Sequence, residues 1–203
     1  MLVKENKINY DKVLEDIISK LNYRPKLLLH SCCGPCSSYV ISYLKDFFDI
    51  TILYYNPNIE PREEYEKRLE EQIKLINKLD IPYVKLLDID YDNEVYRNYV
   101  KGYENEVEGG SRCHLCYELR LKKTYDIAKE NNFEYFGTTL TVSPYKNAKV
   151  LNEIGESLES DGLKWLYSDF KKKDGYKKSI ELSEKYDLYR QDYCGCLFSK
   201  RSE

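Results

Sequence analysis

Short apolar runs alternate with longer amphipathic segments along most of the chain. The apolar runs have strand length and lie at residues 27–30, 51–55, 83–87, 134–138 and 163–167. The segments with helical periodicity lie at residues 37–48, 63–79, 92–102, 112–131, 147–158 and 176–187. Two parallel strands need a crossover connection, which is usually a helix. The order therefore predicts βαβ units and an α/β fold with a doubly wound, mostly parallel five-stranded sheet.

The two ends of the chain extend this alternation. Residues 1–24 carry a helical apolar stripe before the first strand, and residues 188–203 carry the last pair of cysteines. A length of 203 residues without a polar linker predicts a single α/β domain over residues 1–203. In this interpretation 1–24 is a helical extension and 188–203 is a C-terminal segment.

Composition narrows the class of protein. No apolar run approaches the ~18 residues of a membrane helix, and the N-terminus lacks the apolar core of a secretory signal. We therefore expect a cytoplasmic protein with no membrane partner. A net charge of −3 argues against a protein that coats nucleic acid non-specifically, although a local basic patch is compatible with it.

The cysteines fall into three tight groups. They are Cys32, Cys33 and Cys36; Cys113 and Cys116; and Cys194 and Cys196. Short spacings let several sulfurs converge on one point, which scattered buried cysteines do not do. An odd count without an export signal argues against a disulfide framework. The pattern predicts a metal or redox site.

The first cysteine group follows a predicted strand and precedes a predicted helix. Ligands of doubly wound sheets bind beyond the carboxyl ends of the strands, at the topological switch point. If the first strand is central, segments 56–58 and 138–146 open onto the same edge. Ser111 is predicted to cap a helix that carries Cys113 and Cys116 in its first turn.

Two pairs of cysteines have the Cys-x-x-Cys spacing. Each pair places two thiols at a helix N-terminus, which favours the thiolate. Together they supply four sulfurs, enough for zinc or a four-iron cluster. Adjacent residues do not easily point at one centre, so we expect Cys32 to serve a second metal with Cys194 and Cys196. A cluster with four cysteine ligands beside an open metal with three would use all seven cysteines, whereas a structural zinc would use only four. The cysteine count therefore favours the cluster with a neighbouring metal.

Two other functions compete with this interpretation. Cys33-Gly34-Pro35-Cys36 matches the redox motif of thioredoxins, but a thiol–disulfide oxidoreductase leaves the later cysteines without a task. A zinc-stabilised nucleic-acid-binding module would use four of the seven sulfurs. Colour, metal content and activity on disulfides distinguish the three alternatives.

Several longer motifs point to one family. They are 29–36 (LHSCCGPC), 56–59 (NPNI), 112–117 (RCHLCY) with 119–120 (LR), 138–140 (TTL), 143–146 (SPYK), 169–172 (DFKK) and 188–196 (LYRQDYCGC). Glu64, Tyr65 and Arg68 belong to the same set. The motifs span about residues 27–198, and together they resemble the QueH family of epoxyqueuosine reductases.

The resemblance implies a fold, an activity and cofactors. The fold is similar to that of the adenine-nucleotide α-hydrolase-like (HUP) group. The activity is the cobalamin-independent reduction of epoxyqueuosine to queuosine in a tRNA anticodon, the last step of queuosine synthesis. A 4Fe–4S cluster and an adjacent mononuclear iron are the implied cofactors, and an external donor such as a ferredoxin or flavodoxin supplies electrons.

On this basis, residues are assigned as hypotheses. The cluster ligands are Cys33, Cys36, Cys113 and Cys116. The ligands of the lone, catalytic iron are Cys32, Cys194 and Cys196. The expected substrate contacts are Asn56, Asn58, Arg68, Lys146 and Arg190.

The sequence does not single out a proton donor or the RNA contacts. Candidate donors are His30, His114, Tyr117 and Asp192, and His30 is equally compatible with a hydrogen-bonded core histidine. Candidates for stacking on bases are Tyr145, Tyr176, Tyr189 and Tyr193. A basic excess could contact phosphates or form a solvated helix face, and comprises 171–173, 177–178, Arg190, Lys200 and Arg201.

Overall fold

A computed structural model describes residues 8–199 of the chain. Its centre is a five-stranded sheet, parallel throughout, with the strand order β3-β2-β1-β4-β5. The strands are β1 (Lys26–His30), β2 (Asp49–Tyr54), β3 (Lys85–Asp88), β4 (Tyr135–Thr138) and β5 (Lys164–Trp165). The predicted α/β, doubly wound architecture is confirmed, and β1 lies in the middle of the sheet.

Helices connect the strands and cover the sheet. They are α1 (Tyr10–Ser19), α2 (Gly34–Leu44), α3 (Arg62–Leu79), α4 (Asn93–Tyr99), α5 (Ser111–Glu130), α6 (Ala148–Leu158) and α7 (Gly175–Lys185). Single 3₁₀ turns follow at Leu140–Val142 and Leu197–Ser199. Helix α2 packs with α3 and α7, whereas α5 packs with α6. The helices thus form two separate layers.

The side chains of β1 are apolar on both faces of the sheet, so helices must pack on both faces. Leu27 and Leu29 of β1 join the buried cluster that α2 and α3 line, whereas Leu28 between them joins the cluster that α5 and α6 line. Successive side chains of a strand point to opposite faces. A strand buried on both faces is therefore apolar at every position, as this run is.

Helix α2 begins closer to the first cysteine group than the sequence predicts. The predicted helix over 37–48 begins instead at Gly34 and ends at Leu44. Pro35 is compatible with the first turn, because the amide hydrogen it lacks has no partner there. At Gly34 a Cβ would lie 2.7 Å from the carbonyl oxygen of Glu71, so glycine permits the close approach of α2 to α3. Cys36 consequently belongs to the helix and not to the loop.

Other boundaries also differ from the prediction. The N-cap of α5 is Gly110, so the expectation of a cap at Ser111 is wrong, and Ser111 is the first helical residue. Strand β5 has two residues where the sequence predicts five, because the chain leaves the sheet after Trp165.

The ends of the chain are described in part. Residues 1–7 of the predicted helical extension lie outside the described residues, as do Lys200 and Arg201, and α1 falls within that extension. The single domain over 1–203 stays a prediction. Across residues 8–199, none of the helices combines the length and apolarity needed to cross a membrane.

Candidate metal centre

The candidate site lies at the carboxyl edge of the sheet, between β1 and β4. Helix α2 leaves β1 toward one face, and the chain after β4 continues to α6 on the other face. This divergence is the topological switch point at which doubly wound folds bind ligands. A cavity of about 930 Å³ opens there, and its lining includes Cys32, Cys36 and Cys194.

The sulfurs of the first cysteine group converge. The Sγ atoms of Cys32, Cys33 and Cys36 all lie within 4.8 Å of one another, and those of Cys32 and Cys33 are 3.7 Å apart. The chain bends from β1 into α2 at these residues, and Cys33 is the extended N-cap residue. In contrast to the expectation from their adjacency, Cys32 and Cys33 therefore point at one centre.

Hydrogen bonds among these thiols favour one thiolate. Contacts with Cys32 and Cys36 hold the pKa of Cys33 well below its usual range, and the charge of Arg68 lowers it further. The contact with Cys33 raises the pKa of Cys32 to about 11, and the contact with Cys32 raises that of Cys36. The amide of Gln191 also donates a hydrogen bond to Cys33 Sγ at 3.1 Å. A thiolate is the form of cysteine that binds metal.

The remaining four cysteines form a second group. Cys113 and Cys116 lie at the start of α5, and Cys116 packs with Cys196 in a small buried cluster. Burial raises the pKa of Cys116 to about 12, and the charges of Cys194 and Cys196 contribute to the rise. Burial also raises the pKa of Cys113, with a contribution from Cys194. The C-terminal pair therefore lies beside the pair on α5.

The C-terminal segment is held in place by polar contacts with distant residues. Arg68 of α3 donates to the carbonyl oxygens of Cys194 at 3.2 Å and Tyr193 at 3.3 Å. The amide of Glu60 donates to the Gly195 carbonyl at 2.8 Å, and the Tyr193 hydroxyl donates to the Glu60 carbonyl at 2.6 Å. These contacts fix the position of both cysteines of the pair.

Three of the expected substrate contacts are buried behind the residues that line the cavity. Asn56, Asn58 and Arg68 are buried, and none of them lines the cavity. Asn56 donates to the carbonyl oxygen of Ser31 at 2.8 Å, next to the first cysteine group. Arg68 is bound to the C-terminal segment and also to Glu64 at 2.6 Å. Asn56 and Arg68 thus support the two cysteine-bearing loops.

The other two expected contacts, Lys146 and Arg190, line the cavity. The Lys146 ammonium donates to Cys194 Sγ at 2.8 Å and lies 3.8 Å from a carboxylate oxygen of Glu108. Arg190 donates to the Ser179 carbonyl at 3.2 Å and to the Ser183 hydroxyl at 3.0 Å. The structure thus separates the five predicted residues into a buried trio and a cavity-lining pair.

The four candidate proton donors occupy different places. His30 is fully buried, and its ring nitrogens lie 3.0 Å from the Thr138 hydroxyl and 3.1 Å from the Tyr55 carbonyl. Burial lowers the pKa of His30 to about 3, so its ring is neutral at pH 7. Tyr117 is buried and His114 is half-buried beside it. Asp192 lines the cavity, whereas the other three do not.

Some of the candidate RNA contacts line the cavity and others do not. Tyr145, Tyr176 and Tyr193 line the cavity, and Tyr189 lies at a separate shallow pocket. Several cations of the basic excess pair with carboxylates: Lys171 with Asp169, Lys173 with Glu15 and Asp11, and Lys177 with Glu181. These pairs agree with a solvated surface.

Sequence reasoning gave no role to three residues at the site: Arg120, Gln191 and Glu108. Arg120 follows Cys116 by one helical turn, and this spacing places both on the same face of α5. The four-residue spacing of Cys116 and Arg120 could therefore have predicted from the sequence that Arg120 lies near the site. The contact between Gln191 and Cys33 joins residues 158 positions apart and has no comparable signal.

A sequence profile of the family described as epoxyqueuosine reductase QueH matches residues 27–202. The chain belongs to this family. Its relatives include epoxyqueuosine reductases of the QueH family from Staphylococcus epidermidis, 43% identical over 97% of this chain and 87% of the relative, and from Streptococcus pyogenes serotype M1, 41% identical over 97% and 80%. A relative from Thermotoga maritima is 36% identical over 85% of this chain and 89% of its own.

QueH membership and the geometry agree on metal binding. Three sulfurs within 4.8 Å of one another and a second group of four form a donor set of thiols. Thiolates bind iron–sulfur clusters, zinc and copper(I) in preference to hard cations. The residues present therefore fit a sulfur-ligated metal centre.

Proposed function

We propose that this QueH-family chain reduces epoxyqueuosine to queuosine in a tRNA anticodon, without cobalamin. The observation that carries the proposal is the convergence of cysteines from three distant parts of the sequence: Cys32, Cys36 and Cys194 line the switch-point cavity, and Cys116 packs against Cys196. Family membership supplies the reaction. The cavity supplies a place where a base, once taken out of its stack, can enter.

We propose a 4Fe–4S cluster and an additional iron as the cofactors, held by all seven cysteines. The spacing of the cysteines assigns Cys33, Cys36, Cys113 and Cys116 to the cluster. Proximity favours another division, with Cys32, Cys33 and Cys36 at the lone iron and the four remaining cysteines at the cluster. We adopt the division by proximity, because ligands of one metal group must lie close together.

Reduction of an epoxide to an alkene takes two electrons and two protons and releases water. When bound, the iron centre supplies a Lewis acid for the epoxide oxygen and a route for single electrons. The chain itself must hold the thiolates, surround the epoxide and deliver protons. Asp192 is the candidate donor that lines the cavity, so we assign proton delivery to it.

The partners follow from this reaction. The RNA is a tRNA whose anticodon loop reaches the cavity, with Lys146 and Arg190 as contacts at the lining. Asn56 and Arg68 support the cysteine-bearing loops through the carbonyls of Ser31 and Cys194, and Asn58 lies buried next to Gly195. A ferredoxin or flavodoxin supplies the electrons. Because the substrate is tRNA, we place the protein in the cytoplasm.

Anaerobic purification with iron, sulfide and zinc analysis tests the proposed function. We expect a brown protein with about four sulfides and more iron than sulfide, which reduces epoxyqueuosine in tRNA when a chemical reductant is present. One equivalent of zinc, no colour and no turnover would support the nucleic-acid-binding module instead. A colourless, metal-free protein that reduces disulfides would support the thiol–disulfide oxidoreductase.

A matched pair of variants tests the division of the cysteines. With the division by proximity, Cys36→Ser removes about one iron and leaves the sulfide count unchanged, whereas Cys194→Ser removes sulfide. With the division by spacing, the two results are exchanged. If Cys194→Ser changed neither iron content, sulfide content nor turnover, both divisions would be wrong.

A further inference from the structure

Arg120 is a buried cation at the centre of the site. It lies on α5 one turn after Cys116, is 2% exposed, and donates from Nε to the Cys116 carbonyl at 3.1 Å. Its Nη2 is shielded from solvent and has no hydrogen-bond partner among residues 8–199. A buried guanidinium without a counter-charge is strongly unfavourable. Because Arg120 lines the cavity, its free N–H group is available to a ligand bound there.

The groups that surround Arg120 are cysteine sulfurs. Arg120 lines the same cavity as Cys32 and Cys194. Burial alone would lower the pKa of Arg120, but the nearby sulfurs of Cys116, Cys194 and Cys32 raise it above its usual value. Cys116 and Cys194 belong to the second cysteine group and Cys32 to the first. The guanidinium thus lies near both groups of sulfurs, and no carboxylate pairs with it in the part of the chain that the structure describes.

Lys146 adds a second positive charge on the side of Cys194. It is 8% exposed, and its ammonium donates to Cys194 Sγ at 2.8 Å. The carboxylate that faces Lys146 belongs to Glu108, lies 3.8 Å away and is 45% exposed, so water screens it. Two buried cations therefore face the sulfurs, with one half-exposed carboxylate beside them.

We infer that Arg120 is a positioning residue of the metal centre: it offsets the negative charge of the thiolates and donates its free N–H group to a metal-bound sulfur. Positive charge and hydrogen bonds to sulfur make an iron–sulfur centre easier to reduce. Arg120 therefore sets the potential at which the centre accepts electrons. This inference rests on the proposed function, because it requires a redox-active metal.

The test is a potentiometric titration of anaerobically purified protein, followed by visible absorbance. We expect Arg120→Gln to shift the midpoint potential to more negative values, and Arg120→Lys, which keeps the charge, to restore most of the shift. Arg112→Gln is the matched control. Arg112 is also a buried arginine of α5, and its Nε likewise has no hydrogen-bond partner among residues 8–199. However, Arg112 does not line the cavity, and it donates to the backbone carbonyls of Glu104 at 2.8 Å and of Glu106. Its loss lowers the melting temperature and leaves the potential unchanged.

The outcomes separate this inference from the proposed function. If Arg120→Gln kept wild-type iron, sulfide and midpoint potential, the role of Arg120 would be refuted and the proposed function would stand. If the wild-type protein held no iron, the proposed function itself would fail. If Arg120→Gln lost its metal, Arg120→Lys decides: near-wild-type metal content and potential support the charge effect, and a metal-free lysine variant overturns it.

Discussion

Gly195 separates the two cysteines of the C-terminal pair, and its backbone has a φ of +123°. A Cβ at this position would lie 2.9 Å from Ile59 Cγ1 and 3.1 Å from Arg68 Nη1. We expect Gly195→Ala to lose iron and to lower the melting temperature, because the alanine must shift the segment that carries Cys194 and Cys196. The left-handed backbone alone costs about 1–2 kcal/mol for a residue with a Cβ.

Gly162→Ala is the control for this prediction. Gly162 has a φ of +83°, and a Cβ there would meet nothing within 4 Å. It therefore carries the backbone cost without the contacts. Metal analysis and thermal unfolding of both variants distinguish the two effects. Equal iron content in Gly195→Ala and Gly162→Ala would show that the close approach at Gly195 does not position the cysteines.

Helix α3 holds the C-terminal segment through several side chains, since Glu64 and Glu71 accept hydrogen bonds from Tyr189 and Arg68 binds next to the cysteine pair. Arg68 joins it to the C-terminal segment by hydrogen bonds to the Tyr193 and Cys194 carbonyls. We expect Arg68→Met to release this segment, so that limited proteolysis cleaves it many times faster and iron content falls. Arg62→Met is the control, since Arg62 lies on the same helix but pairs with Glu66 in solvent. Equal cleavage rates for the two variants would contradict the role of Arg68.

The elements were largely predictable from the sequence because each depends on local periodicity. Leu27, Leu28 and Leu29 are apolar because helices cover both faces of the sheet, and that run is readable without a structure. The convergence of Cys32 and Cys33 was not predictable, since it depends on the bend between β1 and α2. The contact of Arg68 with Cys194 joins residues 126 positions apart, and local patterns carry no information on such a pair.

The whole molecule brings together sulfurs from α2, α5 and the C-terminal segment, which are far apart along the chain. A metal bound to all three cross-links the folded state and binds the unfolded chain more weakly, so it adds to the free energy of unfolding. We expect removal of iron by a chelator to lower the melting temperature by about 10 °C, which corresponds to about 4 kcal/mol for a domain of this size. Thermal unfolding before and after chelation measures the effect, and reconstitution with iron and sulfide must reverse it. An unchanged melting temperature after complete removal would contradict the cross-link.

In the proposed function, the surface of the molecule determines how tRNA reaches the cavity. Net charge is −3, and several cations of the basic excess pair with carboxylates, so non-specific attraction to phosphate is weak. Recognition must then depend more on the bases. Tyr145 lines the cavity and is 70% exposed, as a stacking platform requires.

We expect Tyr145→Ala to weaken binding of tRNA that carries epoxyqueuosine, because one stacked base contributes about 1–3 kcal/mol, or about fivefold to about 150-fold in Kd. Tyr23→Ala is the control. Tyr23 is 62% exposed but precedes β1, at the edge of the sheet opposite the cavity. Fluorescence anisotropy with a labelled anticodon stem-loop measures both variants against wild type. If the two substitutions had the same effect, Tyr145 would not be a stacking platform, and the RNA would enter the cavity along another side of its mouth.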